Sequence, residues 1–309
     1  MAAHSTAYSR APLLWSAWVV AALLLLPFAG DWTYLALVAA SALVLCAVPG
    51  ALPHDSPRTD RQDLLAIALT YLGVVALLRL AFVGFTTDNV TGLFLSFAAA
   101  LLLGVAGPVV YTVWLRERPM SSLGLRRDNL RPTLALALLF GGMQFGLTLW
   151  GYDLPAAEDW VPLLGMSLVV GVFEAVFFRG FVQTLLERQF GRVIGIAGAA
   201  LLYGGYHVGY GMGADELAFL TGLGVVYAVA FAIARNVLVL WPLLTPLGSF
   251  YANVDAGDID LPWASLAGFA DVLAVMVLVG LLAFRHERRR NAAREGAVGQ
   301  MSSRSSRSI

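Results

Sequence analysis

Residues 161–185 read VPLLGMSLVVGVFEAVFFRGFVQTL. The run exceeds the roughly 20 apolar residues that a helix needs to cross ~30 Å of hydrocarbon. It also carries two ionisable groups, Glu174 and Arg179, inside that length. Working outward, comparable apolar runs occupy 13–29, 33–51, 64–86, 92–115, 133–151, 193–211, 215–234, 237–253 and 262–284. Backbone groups inside a bilayer must be satisfied within the segment, and the period-two alternation of a barrel is absent, so every run is predicted to be helical. The expected fold class is therefore all-α, a polytopic transmembrane helix bundle of about ten spans. Pro49 and Pro53 at the end of the second run, and Pro242 and Pro246 inside the ninth, mark the least regular spans.

Composition agrees with this reading. Of 309 residues, 59% are hydrophobic and 13% charged, against about 45–50% and about 25% in soluble domains. Mean hydropathy is +0.76. Soluble globular enzymes and disordered chains are excluded. A formal net charge of zero leaves no basic face for nucleic acid, so no nucleic-acid partner is expected. Every basic residue is Arg. The one cysteine, Cys46, lies in an apolar run, which removes any internal disulfide or cysteine-based metal centre. Of the four histidines only His207 falls in an apolar segment.

Arginine placement sets the orientation. With the N-terminus in the cytoplasm, the inner segments hold Arg10, Arg58, Arg61, Arg116, Arg118, Arg126, Arg127, Arg131, Arg188, Arg192, Arg235 and the tail arginines from Arg285 to Arg307. The outer loops hold none and carry Asp31, Asp88, Asp153, Glu158, Asp159, Asp215, Glu216, Asp255, Asp258 and Asp260 instead. The expectation is a multi-pass protein of the cell membrane with both termini cytoplasmic. The first run is expected to stay as a helix, since no small-residue cleavage site follows it. Residues 1–115 form N-terminal transmembrane helices, 116–285 a core, and 286–309 a disordered cytoplasmic tail.

Four charges remain inside spans: Arg79, Glu174, Arg179 and Asp271. An ionisable group at membrane depth is costly unless paired or wet, which makes each a site hypothesis. Arg79 and Asp271 share depth and differ in sign, so they are expected to form a structural ion pair between the third and tenth helices. Arg179 is near enough to its helix end to snorkel. Glu174 is not.

The sixth run contains Glu174-Ala-Val-Phe-Phe-Arg179-Gly180, and the seventh ends Tyr203-Gly-Gly-Tyr206-His207. This pattern resembles the CPBP family of CAAX proteases and bacteriocin-processing enzymes, the type II CAAX prenyl endopeptidases. The family's first motif is Glu-Glu-x-x-x-Arg, its second Phe-x-x-x-His, and its third His-x-x-x-Asn/Asp. The resemblance covers roughly 120–255, including Leu123-Gly124-Leu125-Arg126, and implies an eight-helix core preceded here by two further helices. It implies an intramembrane endopeptidase in which Glu174 and His207 activate water, supported by Arg179 and by Tyr203 in the second-motif position. The chemistry suits the residue types: a desolvated carboxylate is a better general base, and an imidazole orients the same water. A catalytic zinc wants about three protein ligands, so no metal and no other cofactor is expected. The partners implied are the lipid bilayer and a membrane-associated peptide or protein substrate.

Two positions depart from the family. Ala175 replaces the second Glu, removing the partner one helical turn before Arg179. In the third motif Pro246 stands for His and Phe250 for Asn, residues that the resemblance assigns to the oxyanion. Thr245, Ser249 and Asn253 form an i, i+4, i+8 stripe one register earlier. Thr245 and Ser249 are the substitute oxyanion donors expected from it, with Tyr206 or Tyr210 as alternatives. Small polar residues also serve helix packing, and the alternative for His207, which its spacing behind Glu174 and Arg179 disfavours, is a buried neutral imidazole. The rival functions are a non-catalytic protein of the same fold, in an immunity or scaffold role, and, with less support, a transporter.

Overall fold

The computed structural model describes residues 11–25, 28, 31–49, 51, 61–85, 90–127, 129–146, 157–241, 244–249 and 274–293. Eight helices are labelled here: α1 (Ala11–Leu25), α2 (Asp31–Ala47), α3 (Arg61–Phe85), α4 (Phe94–Leu115), α5 (Leu130–Gln144), α6 (Leu163–Phe190), α7 (Arg192–Tyr206) and α8 (Ala214–Ala234). Further helical segments cover 244–249 and 274–293, and no strand occurs among the described residues. Among the described residues four helices, α3, α4, α6 and α8, are long and apolar enough to cross a membrane. Leu65, Leu69 and Leu72 on α3 and Leu278, Leu281 and Leu282 near the C-terminus are exposed, the helical spacing of faces that meet lipid. The protein is a helical membrane bundle.

Its centre is aromatic. Phe173, Phe177, Phe178 and Phe181 of α6 pack with Tyr203 and Tyr206 of α7 and Tyr227 of α8, all fully or nearly fully buried. Val74 and Leu78 of α3 and Leu101 and Val105 of α4 close the same core. On the far side of α7 and α8, Trp15 of α1 and Ala42 and Cys46 of α2 pack against Ile196, Ala200, Val225 and Ala228. The Trp15 indole N–H donates to the Ala51 carbonyl at 2.8 Å and ties α1 to the end of α2.

Glycine sets the closest approach. A Cβ on Gly180 would stand 2.3 Å from the Leu123 carbonyl oxygen in the 3-10 turn Met120–Leu123. That neighbour is backbone and cannot rotate away. Gly180→Ala should therefore destabilise the bundle by about 1–3 kcal/mol, the usual range for overpacking. Thermal unfolding in detergent micelles measures it, and an unchanged midpoint would show that the turn yields.

Two features differ from the sequence expectations. The ninth run is not one helix from 237. Arg235 adopts a left-handed conformation (φ 51°) and Asn236 an extended one, so the chain turns, passes through a 3-10 turn at Val237–Val239 and is helical again over 244–249. The terminal helix continues to 293 and takes in the first residues of the expected disordered tail. Glu287 accepts from the Met120 N–H at 3.2 Å and Arg290 pairs with Glu117 at 3.3 Å, which holds that end against the bundle. Arg79 Nη1 donates to the Val208 carbonyl at 3.1 Å. Its expected partner, Asp271, lies outside the described residues.

Candidate active site

α6 changes its winding at the acidic residue. It is α-helical to Glu174 and π-helical over Ala175–Gln183. Hydrogen bonds that run i→i+5 widen the helix, and such turns recur at functional sites. They align residues five apart, so Glu174 and Arg179 share one side and attract each other electrostatically. The Thr184 hydroxyl follows the same spacing and donates to the Arg179 carbonyl at 3.2 Å.

Glu174, Arg179 and His207 are all buried, at 6%, 1% and 6% exposure. The Tyr206 hydroxyl donates to Glu174 Oε1 at 2.6 Å. The His207 ring lies against the same tyrosine, with centroids 4.0 Å apart. The two polar groups named by the sequence thus meet through Tyr206 at the junction of α6 and α7. His207 follows the last α-helical turn of α7 and opens the 3-10 turn His207–Tyr210. Its Nδ1 lies 3.0 Å from the Tyr203 carbonyl. A carbonyl only accepts, so Nδ1 carries the proton, and Nε2 of the neutral ring keeps a lone pair for water or substrate.

Arg179 is held differently. Its Cζ lies 4.9 Å from the centre of the Tyr203 ring, a cation–π contact. Nη1 and Nη2 are buried and find no hydrogen-bond partner among the described residues. The missing carboxylate at Ala175 leaves these donors available.

The segment at the third-motif position also reaches α6. The Trp241 indole donates to the Leu168 carbonyl at 2.9 Å, and the Thr245 hydroxyl to the Gly171 carbonyl at 3.1 Å. Pro246 packs on Gly171, where a Cβ would come within 2.6 Å of its ring. Thr245 therefore sits one turn from Glu174 with its proton engaged. Ser249 is half-buried on the same segment, and Phe250 and Asn253 lie outside the described residues.

Residues 155–243 match the family model described as type II CAAX prenyl endopeptidase Rce1-like. This Rce1-like region contains Glu174, Arg179, Tyr203, Tyr206 and His207, and agrees with the family resemblance carried by the motifs. No curated protein and no solved structure matches the chain.

One further polar pair adjoins the site: Tyr227, whose ring packs on Tyr203, and Gln144, which precedes the Rce1-like region. The Tyr227 hydroxyl meets the Gln144 amide at 3.4 Å beside Gly248. A count of charged residues passes over both; a neutral Gln inside the apolar run 133–151 was the signal for them. No third His, Cys, Asp or Glu joins Glu174 and His207 among the described residues. A carboxylate, an imidazole and a guanidinium are thus linked through Tyr203 and Tyr206, residue types suited to water activation and anion stabilisation.

Proposed function

We propose that this protein is an intramembrane endopeptidase of the CAAX-protease type. Glu174 takes a proton from water, His207 Nε2 orients that water, and the hydroxide attacks a membrane-proximal peptide carbonyl. The tetrahedral intermediate then collapses with cleavage of its C–N bond as Glu174 returns the proton to the leaving amine. The observation that carries this reading is the shared contact of Glu174 and His207 with Tyr206, inside the Rce1-like region. The tetrahedral intermediate needs donors for its oxyanion. Arg179 has two N–H-bearing nitrogens without partners among the described residues, which favours it over Thr245, whose hydroxyl is committed to Gly171. The substrate is a membrane-associated peptide or protein, and the arginine asymmetry of the loops orients both termini toward the cytoplasm.

A second reading has its own observation. Pro246, at the position of the third-motif His, fills the space against Gly171, which favours a non-catalytic protein that binds a membrane peptide. Reconstituted wild type and Glu174→Ala, each incubated with a library of membrane-anchored peptides, decide between them. New peptide termini, read by mass spectrometry, should form with wild type and vanish with Glu174→Ala. Identical products from the two proteins on every substrate would leave the binding protein as the better account.

A further inference from the structure

Arg79 is a charge inside the α3 span that the proposed chemistry leaves unused. A guanidinium at that depth is costly to keep, and α3 directs it at the turn that carries His207. Nη1 donates to the Val208 carbonyl at 3.1 Å, one residue beyond the histidine. The same carbonyl accepts the Gly211 N–H at 3.1 Å, the bond that closes the turn His207–Tyr210.

Two further contacts dock this turn on α3. The Gly209 backbone comes so close that a Cβ there would lie 2.8 Å from Leu78 Cβ and 3.2 Å from the Val75 carbonyl oxygen. The Phe82 and Tyr210 rings meet with centroids 4.6 Å apart. The turn is therefore seated along Val75–Phe82, with Arg79 as its polar contact.

The seat matters because α-helical winding ends before His207. A 3-10 turn has poorer hydrogen-bond geometry than an α-helix and holds its own shape less firmly. Fixing the Val208 carbonyl fixes the peptide plane just beyond the histidine, and with it the direction of the imidazole. A charged donor makes that bond roughly twice as strong as a neutral one. α3 also precedes the Rce1-like region, so a helix outside the family match shapes a residue within it. We propose that Arg79 is a positioning residue for His207, latching its turn to α3 so that Nε2 meets the water that Glu174 deprotonates. The consequence for catalysis rests on the protease reading; the latch itself is observable without activity.

The test uses the full-length protein in micelles, labelled with ¹³C-histidine. Four histidines give four ring signals, and His207→Gln identifies the one from His207. Tyr203, Tyr206 and Tyr210 surround that ring at centroid distances of 5.3, 4.0 and 5.6 Å, so their ring currents report its movement. In Arg79→Gln the His207 signal should shift while the other three stay. Arg79→Lys, a charged donor one bond shorter, should return it part of the way. An unmoved His207 signal would overturn the latch, whether or not the protein cleaves peptides.

In the peptide-library assay Arg79→Gln should lower kcat about 100-fold, the effect of about an ångström of misplacement. KM should change little, because His207 acts on the water rather than on the bound peptide. Arg79→Lys should recover kcat in step with the histidine signal. A shifted signal with wild-type kcat would overturn the positioning role. Cleavage absent from wild type would overturn the protease reading instead, and the histidine signal would still decide the latch. If Arg79→Gln does not fold, Arg79→Met, apolar and unbranched, takes its place in both measurements with the same expected results.

Discussion

Asp63→Ala should cost about 3–5 kcal/mol of stability, the usual penalty for removing one partner of a buried ion pair. Asp63 is completely buried at the first turn of α3. Arg118 grips it with both terminal nitrogens, Nη2 to Oδ2 at 2.7 Å and Nη1 to Oδ1 at 3.1 Å. The Tyr111 hydroxyl donates to Oδ1 at 2.6 Å, and Arg116 Nε lies 3.4 Å from the same oxygen. One carboxylate therefore clips the start of α3 to the end of α4 and to the loop that follows. Its removal takes away the acceptor that two guanidinium groups and a phenol share. The measurement is unfolding in micelles, with Asp63→Asn as the shape-preserving control. Asn keeps an acceptor but not the charge, so it should fall between Ala and wild type. A loss below about 1 kcal/mol in the Ala variant would mean that Arg116 and Arg118 reach water instead, and that the clip is an exposed pair of little worth.

Arg179→Gln should slow peptide cleavage about 10²–10³-fold, the effect of losing one oxyanion donor, equivalent to ~3–4 kcal/mol of transition-state stabilisation. The guanidinium is the one group of the site with unengaged donors among the described residues, and it lies in a dry environment where charge acts strongly. The loss should fall on kcat with KM little changed, because the oxyanion exists only in the transition state and intermediate. Arg179→Lys, which keeps the charge and gives up the fork, should recover part of the rate. Thr245→Ala/Ser249→Ala in the same assay should stay within about tenfold of wild type, since the Thr245 proton already serves Gly171. The reverse pattern, a slow hydroxyl variant and an unaffected Arg179→Gln, would move the oxyanion site to the 244–249 segment.

Membrane character and helical class were legible because apolar run length is a direct consequence of bilayer thickness. The span pattern was less so around 237. Arg235 and Asn236 turn the chain there, and hydropathy carries no record of a backbone dihedral. Glu174 and His207 stood out for opposite reasons: a carboxylate in mid-span has no cheap explanation, and the histidine was legible only through its spacing from that carboxylate. Asp63 was hidden at the edge of a span, where a charge reads as solvated. Its burial comes from Arg116, Arg118 and Tyr111 folding over it. The link through Tyr206 was equally unreadable, because a tyrosine beside glycines says nothing about which oxygen its hydroxyl meets.

In an ordinary α-helix, side chains five residues apart point roughly 140° away from each other. Had α6 kept α-helical winding beyond Glu174, Arg179 would have faced another sector of the bundle. The π-helical stretch Ala175–Gln183 puts more residues in each turn and reduces that rotation, and it is gripped on all sides, every residue in it being buried. The meeting of acid and guanidinium is thus a tertiary product. A motif written as letters along one helix is assembled by the neighbours that hold the helix unwound, so packing changes far from Glu174 reach the site through the pitch of α6.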